Sequence, residues 1–149
     1  MQILETEIIS IDAEKIRPLR HAELRKGQDF STTSYLRDHD AETFHMACMV
    51  DSNVVTCATF YPEQSEKLNA VNAYRLRGMA THSNFQRKGY ARDLIKAAFL
   101  ELKAKGADFV WCNARIVALD FYKSMGFKIK GDQFDIETIG PHYYMYKEI

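Results

Sequence analysis

The chain has 149 residues, with 20 Lys plus Arg against 20 Asp plus Glu and a formal net charge of zero. A chain of this length buries about two-thirds of its unfolded surface, so one domain over 1–149 is expected to fold without a metal or disulfide staple. The neutral balance argues against a nucleic-acid partner, and no apolar run reaches the ~20 residues of a membrane helix.

Along the chain, Gln2 to Ile9 reads as a first strand. Ser10 or Asp12 can cap a helix carrying Ile16, Leu19 and Leu24, with Gly27 ending it. Residues 28–42 are polar and poorly periodic, a loop with one helical turn near Tyr35. Thr43 to Val50 and Val54 to Tyr61 flank Asp51-Ser52-Asn53, a hairpin signal. A loop from Pro62 to Asn69 leads to a long strand, Val71 to Thr81, in which Gly78 marks a bulge or a close backbone approach.

Ala91, Leu94, Ile95, Ala98, Phe99 and Leu102 form one apolar stripe at helical spacing, closed by Lys103, Lys105 and Gly106. Asp108 to Cys112 reads as a buried strand. Val117, Ala118, Phe121, Tyr122 and Met125 form a second helical stripe that stops at Gly126. Phe127 to Ile136 and Tyr143 to Lys147 complete the sheet. The pattern predicts an α/β (mixed α+β) fold: a mixed, mostly antiparallel sheet with a central parallel pair and flanking helices.

Cys48, Cys57 and Cys112 lie in apolar runs without a CxxC pair. An odd number of such residues reads as free thiols in a reducing cytoplasm. MQILETEIIS lacks the basic start and apolar core of a signal peptide. The five histidines show no HExxH spacing, so no metal site is expected.

The chemistry concentrates in Gln86, Arg87, Lys88, Gly89, Tyr90, Ala91 and Arg92, between a strand end and the strongest helix. A helix N-terminus offers unpaired N–H donors and partial positive charge to a diphosphate. Gly89 lacks a Cβ, Ala91 is small, and Arg87, Lys88 and Arg92 add charge. On spacing alone the segment reads equally well as the basic first turn of a surface helix. A P-loop and a GxGxxG fingerprint are both missing.

QRKGYA resembles the Q/R-x-x-G-x-G/A acyl-CoA-binding motif of the GNAT (GCN5-related) N-acyltransferases. LRGMAT, at 76–81, resembles the strand that precedes it. Asn113, Ala118 and the run Phe121 to Phe127 resemble the family's N-x4-A-x2-F-Y-x3-G-F stretch. LRGMA, WCNAR and GPH together resemble a subgroup of predicted acyltransferases with unassigned substrates. The resemblance is firm over residues 43–149 and loose before them.

The resemblance implies an N-acetyltransferase that uses acetyl-CoA as co-substrate. It moves the acetyl group directly, in a ternary complex, to the primary amine of a small molecule or a peptide N-terminus. By position, Met79, Ala80 and Thr81 would meet the pantetheine arm and the thioester carbonyl, and the Gly89 turn the diphosphate. Asn113 would bond the pantetheine chain, with a loop-capping asparagine as the alternative. Phe121 lies beside the cofactor or simply packs. Tyr122 is the expected general acid, since a phenol with a reference pKa of about 10 stays protonated at neutral pH.

His45, Glu63, His82 and His142 are the candidates for the base; an imidazole, titrating at about 6.5, suits the task best, and His45, which recurs in the resembled subgroup's pattern, and His142 lead. His142 follows Gly140-Pro141, a turn that would aim it at the centre of the sheet. Acceptor recognition is expected from residues 15–42. Lys15, Arg17, Arg20, His21, Arg25 and Lys26 suit an acidic acceptor or form a solvated helix face, whereas Asp38, Asp40 and Glu42 suit a cationic one. Exposed strand edges leave a homodimer possible. The alternative functions are a non-catalytic acyl-CoA-sensing module and a ligand-free interaction domain.

Overall fold

The structure is a computed structural model and describes residues 5–149. Its elements are β1 (Thr6–Ser10), α1 (Ala13–Leu24), β2 (Phe44–Val50), β3 (Asn53–Pro62), β4 (Ala73–Thr81), α2 (Tyr90–Ala104), β5 (Phe109–Arg115), α3 (Leu119–Ser124), β6 (Lys128–Ile129), β7 (Phe134–Ile136) and β8 (Gly140–Glu148). The strands follow the order β1-β2-β3-β4-β5-β8-β6, with β7 also paired to β8. β4 and β5 run parallel, and the pairs β1–β2, β2–β3, β5–β8, β6–β8 and β7–β8 are antiparallel. This is the mixed sheet with one parallel pair that the patterning predicts. Residues 2–4 of the expected first strand lie outside the described residues.

Two compact units divide the chain: Met1–Tyr61 with Gly78–Leu100, and Pro62–Arg77 with Glu101–Ile149. In the first, Ile16 and Leu19 of α1 meet Ala47, Cys57 and Ala80 in a core flanked by Ile9, Ile11, Leu24, Met49 and Val54. Each large aliphatic side chain buried there stabilises the fold by about 1.5–3 kcal/mol. The β2–β3 turn places Asp51 and Ser52 at φ 48° and 69°, the two left-handed residues whose twist suits a tight hairpin. From α2, Leu94, Ile95 and Ala98 are fully buried while Leu100 is exposed, as the stripe predicts.

The segment 28–42 is a loop with one helical turn, placed a few residues before Tyr35 and packed into the protein. It forms a 3₁₀ turn, Phe30–Thr33, capped by the Asp29 carboxylate, which accepts from Ser31 N–H at 2.9 Å. Thr33, Tyr35 and Asp38 are buried. The cause is Arg20, a charged side chain with 0% exposure on the inner face of α1. A buried guanidinium must find acceptors, and this strap supplies them.

In the second unit, Ala73, Trp111 and Tyr144 form a core flanked by Leu68, Ala70, Phe109, Phe134 and Tyr146. The Asp108 carboxylate accepts the N–H groups of Val71 and Asn72 at 2.6 and 2.9 Å, fixing the approach to β4. The second helical stripe is shorter than predicted: Ile116–Ala118 is a 3₁₀ turn, α3 has six residues, and Val117 is 87% exposed. A single turn and a half cannot present a long stripe to one side. The expected strand from Phe127 to Ile136 divides at Gly131, whose φ of 89° turns the chain between β6 and β7.

Candidate functional site

The turn between β4 and α2 is built from local hydrogen bonds. His82 N–H donates to Val55 O at 2.8 Å, and Ser83 N–H to the Glu23 carboxylate at 3.0 Å. His82 Nδ1 accepts from Asn84 N–H at 3.1 Å, so this histidine caps a 3₁₀ turn, Ser83–Phe85. Gln86 Nε2 donates to Thr81 O at 3.3 Å, tying the turn to the end of β4.

Gly89 has φ 88°, and its carbonyl takes the first intrahelical bond from Asp93 N–H at 3.0 Å. The N–H groups of Tyr90, Ala91 and Arg92 therefore have no acceptor within the helix. Gln86, Arg87, Lys88 and Arg92 are exposed. A Cβ at Gly89 would lie 3.0 Å from Arg92 Nη2, so glycine keeps this opening clear. Orphan N–H donors, a helix dipole and three exposed cations around a residue without a side chain fit the diphosphate of coenzyme A.

β4 carries a second special backbone position. Gly78 has φ 66°, and a Cβ there would stand 2.9 Å from Tyr35 Cε2 and 3.3 Å from Arg20 Nε. The expected close approach is real, but side chains make it. Beyond Gly78, Ala80 faces the core, Met79 is half-buried, and Thr81 Oγ1 is 3.3 Å from Thr56 Oγ1. The parallel register of β4 with β5 runs from Ala73–Phe109 to Arg75–Trp111 and stops there. The backbone of Met79–Thr81 stands outside that ladder.

In the second unit, Asn113 lies on β5 opposite Tyr144 and lines a pocket together with Trp111. Tyr122 sits in α3 at 6% exposure, its ring against Phe121 and Phe127 at centroid distances of 5.3 and 5.2 Å. Burial pushes its phenol well above the usual value; negative charge on Cys112 would push it further, and Arg115 opposes both weakly. The group is therefore a firmly protonated donor. Phe121 packs edge-on against its ring.

The histidines separate. Gly140-Pro141 begins β8 and is not a turn; the turn comes before it, at residues 137–139. His142 is a buried strand residue opposite Arg115 and Phe134, with Nδ1 2.8 Å from Gly140 O. His45 is equally buried, but both its ring nitrogens are engaged: Nδ1 with Thr59 Oγ1 at 2.8 Å and Nε2 with Asp38 O at 2.9 Å. Burial lowers its pKa, so it is held neutral. Glu63 pairs with Arg75 at 3.2 Å, and its carbonyl accepts from Trp111 Nε1.

The two acceptor-recognition ideas also change. Arg20 is no part of a solvated face. Its Nη1 and Nη2 bond both oxygens of Asp38 at 2.7 and 3.0 Å, and it also donates to Thr33 O and Thr59 Oγ1. Asp38 is thereby committed inside the protein. Burial alone would raise its pKa, but the Arg20 guanidinium and the Tyr35 N–H outweigh burial and hold it below the usual range. Sequence reasoning missed this clasp, and it missed the cluster of Trp111, Phe134, Tyr144 and Lys67. An arginine inside an otherwise apolar helix face, Ile16-x2-Leu19-Arg20, was the one available signal for the clasp.

The sequence profile of the Acetyltransferase (GNAT) family matches residues 11–127. A curated Bacillus subtilis (strain 168) protein named Uncharacterized N-acetyltransferase YitI is 36% identical over 143 residues, covering 96% of each chain. An aminoglycoside 6'-N-acetyltransferase solved with coenzyme A shares the fold at TM-score 0.77 and 13% identity, covering 95% of this chain and 96% of its own. The Escherichia coli ribosomal-protein-S18-alanine N-acetyltransferase shares it at TM-score 0.73 and 16% identity, covering 97% and 94%. With a profile match over most of its length, a full-length relative and the same fold, this chain belongs to the GNAT acetyltransferase family and is an acyl-CoA-dependent acyltransferase.

Proposed function

We propose that the chain moves an acetyl group from acetyl-CoA to a primary amine, of a small molecule or a peptide N-terminus, by direct transfer in a ternary complex. The observation that carries this reading is the exposed turn at Gly89, with its three orphan N–H groups and its cations Arg87, Lys88 and Arg92. Acetyl-CoA supplies the activated thioester. Gln86, Tyr90 and Ala91 frame the turn that receives the diphosphate, while the backbone of Met79, Ala80 and Thr81, in β4 but beyond its ladder with β5, offers N–H and C=O groups on that side to the pantetheine arm and the thioester carbonyl.

The amine nitrogen attacks the carbonyl carbon, the C–S bond breaks, and the thiolate takes the Tyr122 hydroxyl proton. The amine's surplus proton goes to a base or to water. His142 is the histidine suited to receive it. With Nδ1–H donating to Gly140 O, its Nε2 carries a lone pair. His45 has no nitrogen left for that task.

Release of free CoA thiol is to be followed with amino sugars, polyamines, amino acids and peptides as acceptors. Tyr122→Phe should bind acetyl-CoA as the parent does in calorimetry while turnover falls by about 100-fold, the range of a lost general acid. Unchanged turnover would remove the role given to Tyr122. Absence of any heat with acetyl-CoA would sink the whole reading.

A further inference from the structure

A pocket of about 390 Å³ in the second unit is walled by aromatic rings. Trp111 and Tyr144 stack at 5.4 Å with 23° between their planes, and Phe134 stands beside them. The register explains the grouping. Trp111 and Asn113 alternate onto one face of β5, Asn113 pairs with Tyr144, and Phe134 of β7 pairs with His142 two residues before Tyr144. The Tyr144 hydroxyl is turned aside, donating to Ser65 Oγ at 2.6 Å.

This cluster already holds cations. Lys67 Nζ lies 4.7 Å from the Tyr144 ring centroid and 5.6 Å from that of Phe134. Arg75 covers Trp111 at 4.9 Å while paired to Glu63. Ring faces attract a positive charge through their quadrupole, most strongly where water is excluded. Lys67 is itself exposed, so its side chain can leave at little cost. Its backbone is held, with Lys67 N–H donating to Ser65 Oγ and Lys130 Nζ donating to Lys67 O. When the lysine swings out, Glu66 is left as the one charged residue lining the pocket.

We infer that this pocket binds an alkylammonium group of the acyl acceptor, and that Lys67 occupies the position of that group until the acceptor arrives. The acceptor class is then a small molecule with a protonated amine on a short apolar chain, in addition to the neutral amine that reacts. This assignment rests on the reading of the chain as an amine acyltransferase.

Trp111 is the chain's single tryptophan, so its fluorescence reports on this pocket alone. The whole chain is to be titrated with choline and with its uncharged carbon isostere, 3,3-dimethylbutan-1-ol, without acetyl-CoA. Choline should change the emission saturably, and the isostere should bind at least tenfold more weakly. Lys67→Ala should tighten choline binding at least threefold, and Phe134→Leu, at the half-buried edge strand, should weaken it. No saturable change, an equal response to the isostere, or indifference to Lys67→Ala would each overturn the assignment. Calorimetry with acetyl-CoA on the same sample separates the two claims. Heat with acetyl-CoA but silence with choline removes only the pocket's role, whereas choline binding without acetyl-CoA heat removes the proposed function.

Discussion

At residue scale, the interior chemistry is set by which protonation state burial permits. His45 receives a hydrogen bond from Thr59 at Nδ1 and gives one to Asp38 O from Nε2, an arrangement open only to the neutral ring. Its folded pKa lies below the ordinary 6.5. The unfolded chain therefore takes up the proton first as pH falls, so the stability His45 contributes is complete above about pH 6.5 and is lost as pH falls through the folded pKa. The melting temperature should drop between pH 7 and 5, and His45→Gln should remove that part of the slope. A profile in the variant as steep as the parent's would contradict this. Asp38, also depressed, gives stability that is complete above the unfolded carboxylate value of about 3.9 and is lost only below it, so the two losses occupy separate windows. Burial likewise raises the Cys57 thiol to about 12, which makes it unreactive. The sequence could nominate His45 by type but could not show that its neighbours consume both nitrogens.

At the scale of elements, the clasp of Arg20 and Asp38 decides how the strap of residues 29–40 folds. Both side chains are essentially inaccessible, at 0% and 1%. Removing one partner strands a buried charge, at a cost of about 3–5 kcal/mol. Asp38→Ala should lower the urea midpoint accordingly, and hydrogen exchange should show residues 29–40 opening first. Arg20 Nε remains without a partner, and the same guanidinium lies 3.9 Å from the Tyr35 ring centroid and against Gly78. Gly78→Ala combines left-handed φ strain with a 2.9 Å approach to Tyr35. It should cost more than about 1 kcal/mol and should also slow turnover, because Met79 follows directly.

Elements with a strong period were legible. The α2 stripe and the β2–β3 hairpin announce themselves through residues a few positions apart. The strap did not, since its polar residues look solvated until the buried arginine thirteen to eighteen positions earlier is known to need them. The aromatic pocket was hidden for a related reason: strand register, which aligns Asn113 with Tyr144, is a long-range property that no local pattern encodes.

At the scale of the molecule, ligand binding should appear as stability. Acetyl-CoA at a hundredfold over its Kd stabilises the bound state by about 2.7 kcal/mol, or roughly 5–10 °C in Tm for a chain of this size. Gly89→Val, which forces a branched side chain to φ 88° beside Arg92, should melt below the parent's ligand-free temperature and show little of that shift. A full shift in this variant would place the diphosphate elsewhere.

The turn proposed to meet the diphosphate contains a second left-handed residue, and it is not a glycine: Arg87, at φ 61°. Such a backbone costs a residue with a side chain on the order of 1 kcal/mol. Arg87→Gly would relieve that strain while discarding a guanidinium from the anion's rim, so heat resistance should rise as affinity for acetyl-CoA declines. Breeding this enzyme for durability alone would drift toward glycine here and erode the catalyst it meant to preserve.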